Sequence, residues 1–256
     1  MPFLFGVTGA DELAGVVLVR LLGDLGVGAA AARAQLARMR IDGQLAASHR
    51  GRQAHYRLAG PFAASFRHVR DASGGGAPRW DGHFHALLYQ VPEAQRAYRD
   101  RLRRMAQLVG YGLMQQGVLI AVRDLTGELG AVIAECPAGC RVQAATIALP
   151  AADAAEVARA AWDLEAVAAT FRGHIGTLSA ALAAEGSPPP TAATLARFAE
   201  VLNAVYVDLI RDPRLPAALL PPDWPRPELD RLMGRVRERF LPAASRYARS
   251  VMAEAE

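Results

Sequence analysis

Apolar residues recur at helical spacing in two neighbouring stretches close to the start of the chain. In the first stretch they lie three or four residues apart, which predicts a helix from Leu13 to Leu25 that ends at Gly26. In the second, Ala32, Leu36 and Met39 occupy positions i, i+4 and i+7 and predict a helix with one buried face. Gly43 is expected to end it, because glycine adopts the left-handed backbone that closes a helix.

The pattern then changes to short apolar segments on either side of a polar tip. Leu45 and Ala47 precede the tip, Tyr56 and Leu58 follow it, and the sequence HRGRQ lies between them. This arrangement predicts a β-hairpin that turns at Gly51. Two helices joined by a glycine-containing turn and followed by a hairpin are the layout of a winged helix-turn-helix.

The positive charge of this segment indicates a negatively charged binding partner. Residues 1–70 contain nine arginines against four acidic residues, an excess that the rest of the chain does not share. Arginine offers a planar pair of donors to phosphate oxygens and guanine edges. We therefore predict that this segment binds double-stranded DNA through side chains of the second helix and of the hairpin tip. The candidate DNA contacts are Arg33, Gln35, Arg38, His49, Arg50, Arg52 and Gln53.

The rest of the chain predicts two further domains and an α+β fold. After the winged helix at residues 1–70, the glycine-rich segment DASGGGAP at 71–78 predicts a linker. Strand and helix patterns alternate over residues 79–150 and predict a ferredoxin-like domain, with helices on one face of an antiparallel sheet. Residues 151–256 read as three or four helices and predict a helical C-terminal domain.

Other chemically distinctive residues leave alternatives open. Arg96, Arg99 and Arg103 share one face of a predicted helix, which suits a solvated surface, a dimer contact, or binding of DNA backbone or coenzyme A phosphates. Trp80 and Trp162 suit a hydrophobic core, or a pocket wall over an aromatic acyl group. His83 and His85 fall on one face of a strand, but a packed histidine is expected there rather than a metal ligand.

Several classes of protein are not expected. Cys136 and Cys140 form one closely spaced pair, which cannot complete a zinc site alone. Glycine-rich phosphate loops and catalytic motifs are absent from the sequence, so neither an enzyme nor a bound cofactor is predicted. Apolar runs such as LAGVVLV are shorter than the roughly 20 residues of a membrane helix. These observations predict a soluble cytoplasmic protein.

Four motifs in this order resemble the PaaX family of bacterial transcriptional regulators, which repress catabolic operons for phenylacetate and related compounds. They are DGQL with GRQAHYRL, the segment from WDGHFHALLYQV to QQGVLIAV, AWDLEAV, and LIRDPRLPAALLPPDWP. The resemblance covers nearly the whole chain. It implies an N-terminal winged helix, a central domain akin to the small CRISPR-adaptation nucleases, a helical C-terminal domain and a homodimer. It also implies an acyl-CoA effector such as phenylacetyl-CoA.

The sequence also departs from the family pattern. The first helix of the winged helix is expected to be shortened or missing, and Gly28, Ala29 and Ala30 replace the usual serine cap and the Glu-Arg pair after it. Base reading is therefore expected to rest on Arg33 and Arg38. The alternative is an acyl-CoA-binding dimeric interaction module with degenerate, non-specific DNA binding. A nuclease is not expected, because the first strand of the central domain offers only Glu93 in place of a metal-binding aspartate.

Overall fold

A computed structural model describes residues 1–51, 53–60, 63, 79–183, 186–209 and 212–255. The predicted linker at 71–78 lies outside this range. The chain divides into two compact units. Unit 1 comprises Met1–Gly75, Arg172–Ile210 and Pro227–Glu256, and unit 2 comprises Gly76–Phe171 and Arg211–Arg226. The domain boundaries predicted from the sequence follow chain order, whereas these units combine segments that are distant in the sequence.

The helices and strands are numbered in chain order over the described residues. The α-helices are α1 (Pro2–Thr8), α2 (Gly15–Asp24), α3 (Ala29–Ile41), α4 (Arg96–Val109), α5 (Gly130–Ala134), α6 (Ala151–Ala161), α7 (Leu164–Ala183), α8 (Ala192–Leu209) and α9 (Arg226–Ala253). The strands are β1 (Leu13–Ala14), β2 (Leu45–Arg50), β3 (Gln53–Leu58), β4 (His83–Gln90), β5 (Gly112–Gln115), β6 (Val118–Ala121) and β7 (Arg141–Ala148).

The N-terminal part of unit 1 contains the predicted helix, turn, helix and hairpin. Ala32, Leu36 and Met39 are the buried residues of α3, so the predicted buried face is confirmed. The predicted start of α2 was wrong by two residues, because Leu13 and Ala14 pair with β3 instead of entering the helix. The three strands lie in the order β1-β3-β2. A first helix is present and short, seven residues from Pro2 to Thr8.

Glycines end both α2 and α3 in the same way. Gly43 has φ of 69° and follows α3, and the amide of Gln44 donates to the carbonyl of Met39 at 2.8 Å. Gly26 has φ of 86° after α2, and the amide of Val27 donates to the carbonyl of Leu22 at 2.9 Å. These six-to-one hydrogen bonds define Schellman caps, which satisfy carbonyls at the helix ends and fix the direction of the chain that follows.

Unit 2 is built on a four-stranded antiparallel sheet of order β5-β6-β4-β7. Helix α4 joins the first two of these strands along the chain, and a 3-10 turn with the short α5 precedes the last, which gives the ferredoxin-like topology. The core on one face of the sheet joins Leu87 and Leu119 of the strands to Tyr98, Leu102 and Ala106 of α4 and Val132 of α5.

The opposite face of this sheet is also covered, which corrects the expectation that helices lie on one face only. Phe84, Ala86 and Ile120 pack with Ala154 and Ala158 of α6 and with Leu215 and Leu219. The sequence had placed α6 in a separate helical domain. Apolar side chains occupy both faces of β4, as in sheets that are buried on both sides. The face that carries Phe84 is buried because α6 packs against it.

We predict that Gly112→Ala destabilises unit 2 by about 1 to 3 kcal/mol, through overpacking. A Cβ at this position would lie 2.7 Å from two atoms of the Trp162 indole. That indole is fixed in place, since its Nε1 donates to the carbonyl of Gly110 at 3.1 Å. Urea unfolding measures the loss. The control is Gly176→Ala on α7, where a Cβ meets nothing within 4 Å, and no loss is expected. Equal stability of the two variants would contradict the prediction.

Candidate nucleic-acid interface

Helix α3 presents a broad exposed surface opposite its buried face. Arg33, Gln35, Arg38 and Arg40 are all exposed on it. Among the described residues, none forms an ion pair or side-chain hydrogen bond with these three arginines. A guanidinium group without an ion-pair partner does not have to break such a pair before it binds phosphate or a base edge. These three groups are therefore available to a ligand.

The spacing of these side chains places them in two groups on different sides of α3. Arg33 and Arg40 are seven residues apart and project from one side of the helix, whereas Gln35 and Arg38 are three apart and lie together on another. Arg40 was not among the predicted contacts, although its distance of two turns from Arg33 would have indicated it. Exposed alanines surround both groups, so a ligand could approach the α3 backbone closely.

Gly28 precedes α3 and makes no side-chain capping bond, as its missing side chain requires. Its carbonyl accepts the amide of Ala32 at 2.9 Å, which starts the helix in the regular way. Replacement of a serine cap by glycine costs only a few tenths of a kcal/mol. The departure from the family pattern at this position is therefore compatible with an intact α3.

The hairpin has a polar face on which strand register places Ser48 opposite His55, and Arg50 opposite Gln53. Glu12 reaches this face from the residue before β1. Its carboxylate accepts a hydrogen bond from the Ser48 hydroxyl at 2.6 Å and pairs with the Arg50 guanidinium. The pKa of Glu12 lies below its ordinary value, because of the Ser48 hydrogen bond first and the nearby positive charges after it.

Arg50 is thus held by a partner, which the sequence did not indicate. Its side chain is still 71% exposed, so a phosphate could approach it from solvent. The register also places Arg57 on this polar face, and it is exposed, although it was not predicted as a contact. His49 is exposed on the other face of β2. Arg52 lies outside the described residues.

The amide nitrogen of Gln53 makes a long hydrogen bond of 3.5 Å to the carbonyl of Ala255, just beyond α9. The side chain of this predicted DNA contact is therefore bonded to the segment just after α9. The hairpin tip consequently lies beside the end of α9.

The residues predicted for effector binding or dimer contact are mostly engaged within unit 2. Arg96 and Arg99 pair with Glu93 and Asp100, and Arg103 has no such partner among the described residues. Trp80 and Trp162 pack on the ring of Phe84 at centroid distances of 4.7 and 6.1 Å. Both indoles therefore act as core side chains in this structure.

The described residues offer neither a metal-binding cluster nor a membrane-spanning helix. Within the part of the chain that the structure describes, no three His, Cys, Asp or Glu side chains come together as a metal site. Glu93, the carboxylate considered for a nuclease, is held by arginines. No helix among the described residues is long and apolar enough to span a bilayer.

Three family profiles match this chain, and together they cover most of it. A PaaX-like protein family matches residues 9–61, the PaaX protein central Cas2-like domain matches 77–158, and the PaaX-like protein C-terminal domain matches 162–250. The chain therefore belongs to the PaaX family, a family of transcriptional regulators. The Cas2-like match covers all four strands of the sheet in unit 2.

A solved structure adds a full-length comparison. The chain is similar to the uncharacterized protein Rv0674 from Mycobacterium tuberculosis, with 25% sequence identity and a TM-score of 0.62. The match covers 98% of this chain and 95% of that one. No curated protein matches the sequence significantly.

Proposed function

We propose that this protein is a DNA-binding transcriptional repressor that reads operator DNA with α3. The observation that carries the proposal is the set of exposed arginines on α3, Arg33, Arg38 and Arg40, without partners among the described residues. A helix that follows a tight turn and carries such donors suits the major groove, where arginine reads guanine. Arg50 and Arg57 on the hairpin suit contacts with the phosphates of the same duplex.

Family membership also supports a form for the operator and a class of effector within this proposal. A homodimer would place two α3 helices in successive major grooves, about 34 Å apart or a multiple of that, and would read a pseudo-palindromic site. An acyl-CoA such as phenylacetyl-CoA would release the operator by binding better to a dimer geometry that does not fit this spacing. Such a repressor acts in the cytoplasm, where its operator lies.

Band-shift titration of the full chain on DNA from its own promoter tests the proposal. We expect tighter binding to this DNA than to a scrambled duplex of the same length. A specific complex is typically at least about 1,000-fold tighter than a non-specific one. A panel of CoA thioesters is then added, and at least one aryl or acyl member should reduce binding. Equal affinity for promoter and scrambled DNA would contradict the repressor assignment.

The second candidate is an acyl-CoA-binding interaction module whose DNA binding is weak and non-specific. It is favoured by the exposed alanines of α3, namely Ala29, Ala30, Ala31, Ala34 and Ala37, which leave few polar groups to read bases. This candidate predicts affinity that falls steeply with salt and ignores sequence. The titration above, repeated at several salt concentrations, distinguishes the two.

A further inference from the structure

Helix α9 and the residues just after it make hydrogen bonds to three separate parts of the N-terminal segment within unit 1. The Ser245 hydroxyl donates to the carbonyl of Val7 in α1 at 2.6 Å, and this contact is buried. The Tyr247 hydroxyl donates to the Asp24 carboxylate at 2.8 Å. A third bond joins the hairpin to Ala255. Helix α9 thus contacts α1 and α2, and Ala255 just beyond it contacts the hairpin.

Among these partners, Asp24 lies nearest to α3 in the sequence. It is the last residue of α2, and only the turn at residues 25–28 separates it from α3. Its side chain is 13% exposed and also faces the Arg20 guanidinium at 3.7 Å. A restraint on Asp24 is therefore a restraint on the end of α2 and on the direction in which α3 begins.

Tyr247 is well suited to hold this carboxylate. Burial raises the pKa of its hydroxyl above the ordinary value, and the bond to Asp24 raises it further. The phenol therefore keeps its proton at neutral pH and remains a donor. A hydrogen bond to an ionised acceptor is stronger than one between neutral groups.

The preceding part of α9 is anchored on other helices of the same unit. The Phe240 ring stacks on Phe198 of α8 with centroids 6.0 Å apart and planes 4° from parallel. The Arg239 guanidinium donates to the carbonyls of Leu182 and Gly186 at 3.3 and 2.9 Å. Pro242 lies inside α9, between these anchors and Ser245. The helix thus connects α7 and α8 to the N-terminal segment.

We propose that Tyr247 is a positioning residue for DNA reading, which fixes the orientation of α3 through Asp24 at the end of α2. The inference rests on the proposed function, since it assigns a control over the same α3 surface. Tyr247 does not contact DNA in this scheme. Its bond to Asp24 restricts the backbone conformations of the turn at residues 25–28. The α3 arginines then reach base edges in a single orientation.

The test compares Tyr247→Phe with Tyr206→Phe in the full chain. Both remove one hydroxyl from a partly buried tyrosine of unit 1, but the Tyr206 hydroxyl on α8 has no hydrogen bond with another described residue. We expect Tyr247→Phe to weaken binding to promoter DNA by roughly 2- to 30-fold, the range found for residues that modulate a site without touching the ligand. Binding to scrambled DNA should not change. Tyr206→Phe should behave as wild type on both duplexes.

An equal loss on both duplexes would assign Tyr247 a structural role only, and no loss would overturn the inference. Hydrogen exchange provides a readout that needs no DNA. In Tyr247→Phe the amides from residue 21 to residue 33 should exchange faster than in wild type, while those of β4 keep their protection. Unchanged exchange at residues 21–33 would overturn the inference as well. Failure of the wild-type chain to prefer its promoter would instead contradict the proposed function, and hydrogen exchange would then decide on Tyr247.

Discussion

Replacement of Arg33 and Arg38 together by alanine should abolish the preference of this protein for its own promoter. A bidentate contact between arginine and guanine contributes about 1 to 3 kcal/mol of discrimination, so loss of both should cost roughly 2 to 6 kcal/mol on the specific site. Both side chains are exposed on α3, and their removal leaves its buried face intact. Fluorescence anisotropy on promoter and scrambled duplexes measures the effect.

The matched control removes the same charge elsewhere. Arg104→Ala with Arg231→Ala takes two exposed arginines from α4 and α9. This control should bind promoter DNA nearly as tightly as wild type. If the α3 variant loses as much affinity for scrambled DNA as for the promoter, Arg33 and Arg38 contact phosphates and base reading lies elsewhere.

Phe84→Ala should cost about 3 to 5 kcal/mol of unfolding free energy in unit 2, the usual range for a large aromatic side chain removed from a core. Phe84 is fully buried at 0% exposure, and the rings of Trp80 and Trp162 pack against it. Truncation leaves a cavity that these indoles cannot close, since Trp162 is hydrogen-bonded to Gly110.

Chemical denaturation followed by tryptophan fluorescence measures this loss. Phe84→Leu is the control, because it keeps most of the buried apolar surface and should lose much less stability. If Phe84→Ala unfolds at the wild-type denaturant concentration, the core between the sheet and α6 is not as closely packed as the ring contacts indicate.

The local features of the N-terminal segment could be predicted because their signals lie within a few residues. Helical spacing identified the buried face of α3, and Gly26 and Gly43 marked the helix ends where they adopt a left-handed backbone. The exposed arginines followed from the same periodicity, since residues off a buried stripe face solvent. The resemblance to a family then supplied the class of protein.

The interactions across the sequence could not be predicted in this way. Glu12 pairs with Arg50 from 38 residues away, and nothing in the spacing of either residue indicates it. The cover on the second sheet face did leave a signal, because β4 carries apolar side chains in both alternating sets, as in Phe84 and Leu87. A strand with that pattern is buried on both sides, and it should have indicated a second covering layer.

The bond between Tyr247 and Asp24 joins residues 223 positions apart, which has a consequence for biosynthesis. At about 5 to 20 residues per second, a ribosome needs roughly 10 to 45 seconds to make the intervening chain. During that interval the nascent segment with α2 and α3 lacks the hydrogen bond from Tyr247 to Asp24. If Tyr247 positions α3 as proposed, the proposed DNA-binding surface is therefore fully ordered only after residue 247 has been synthesised.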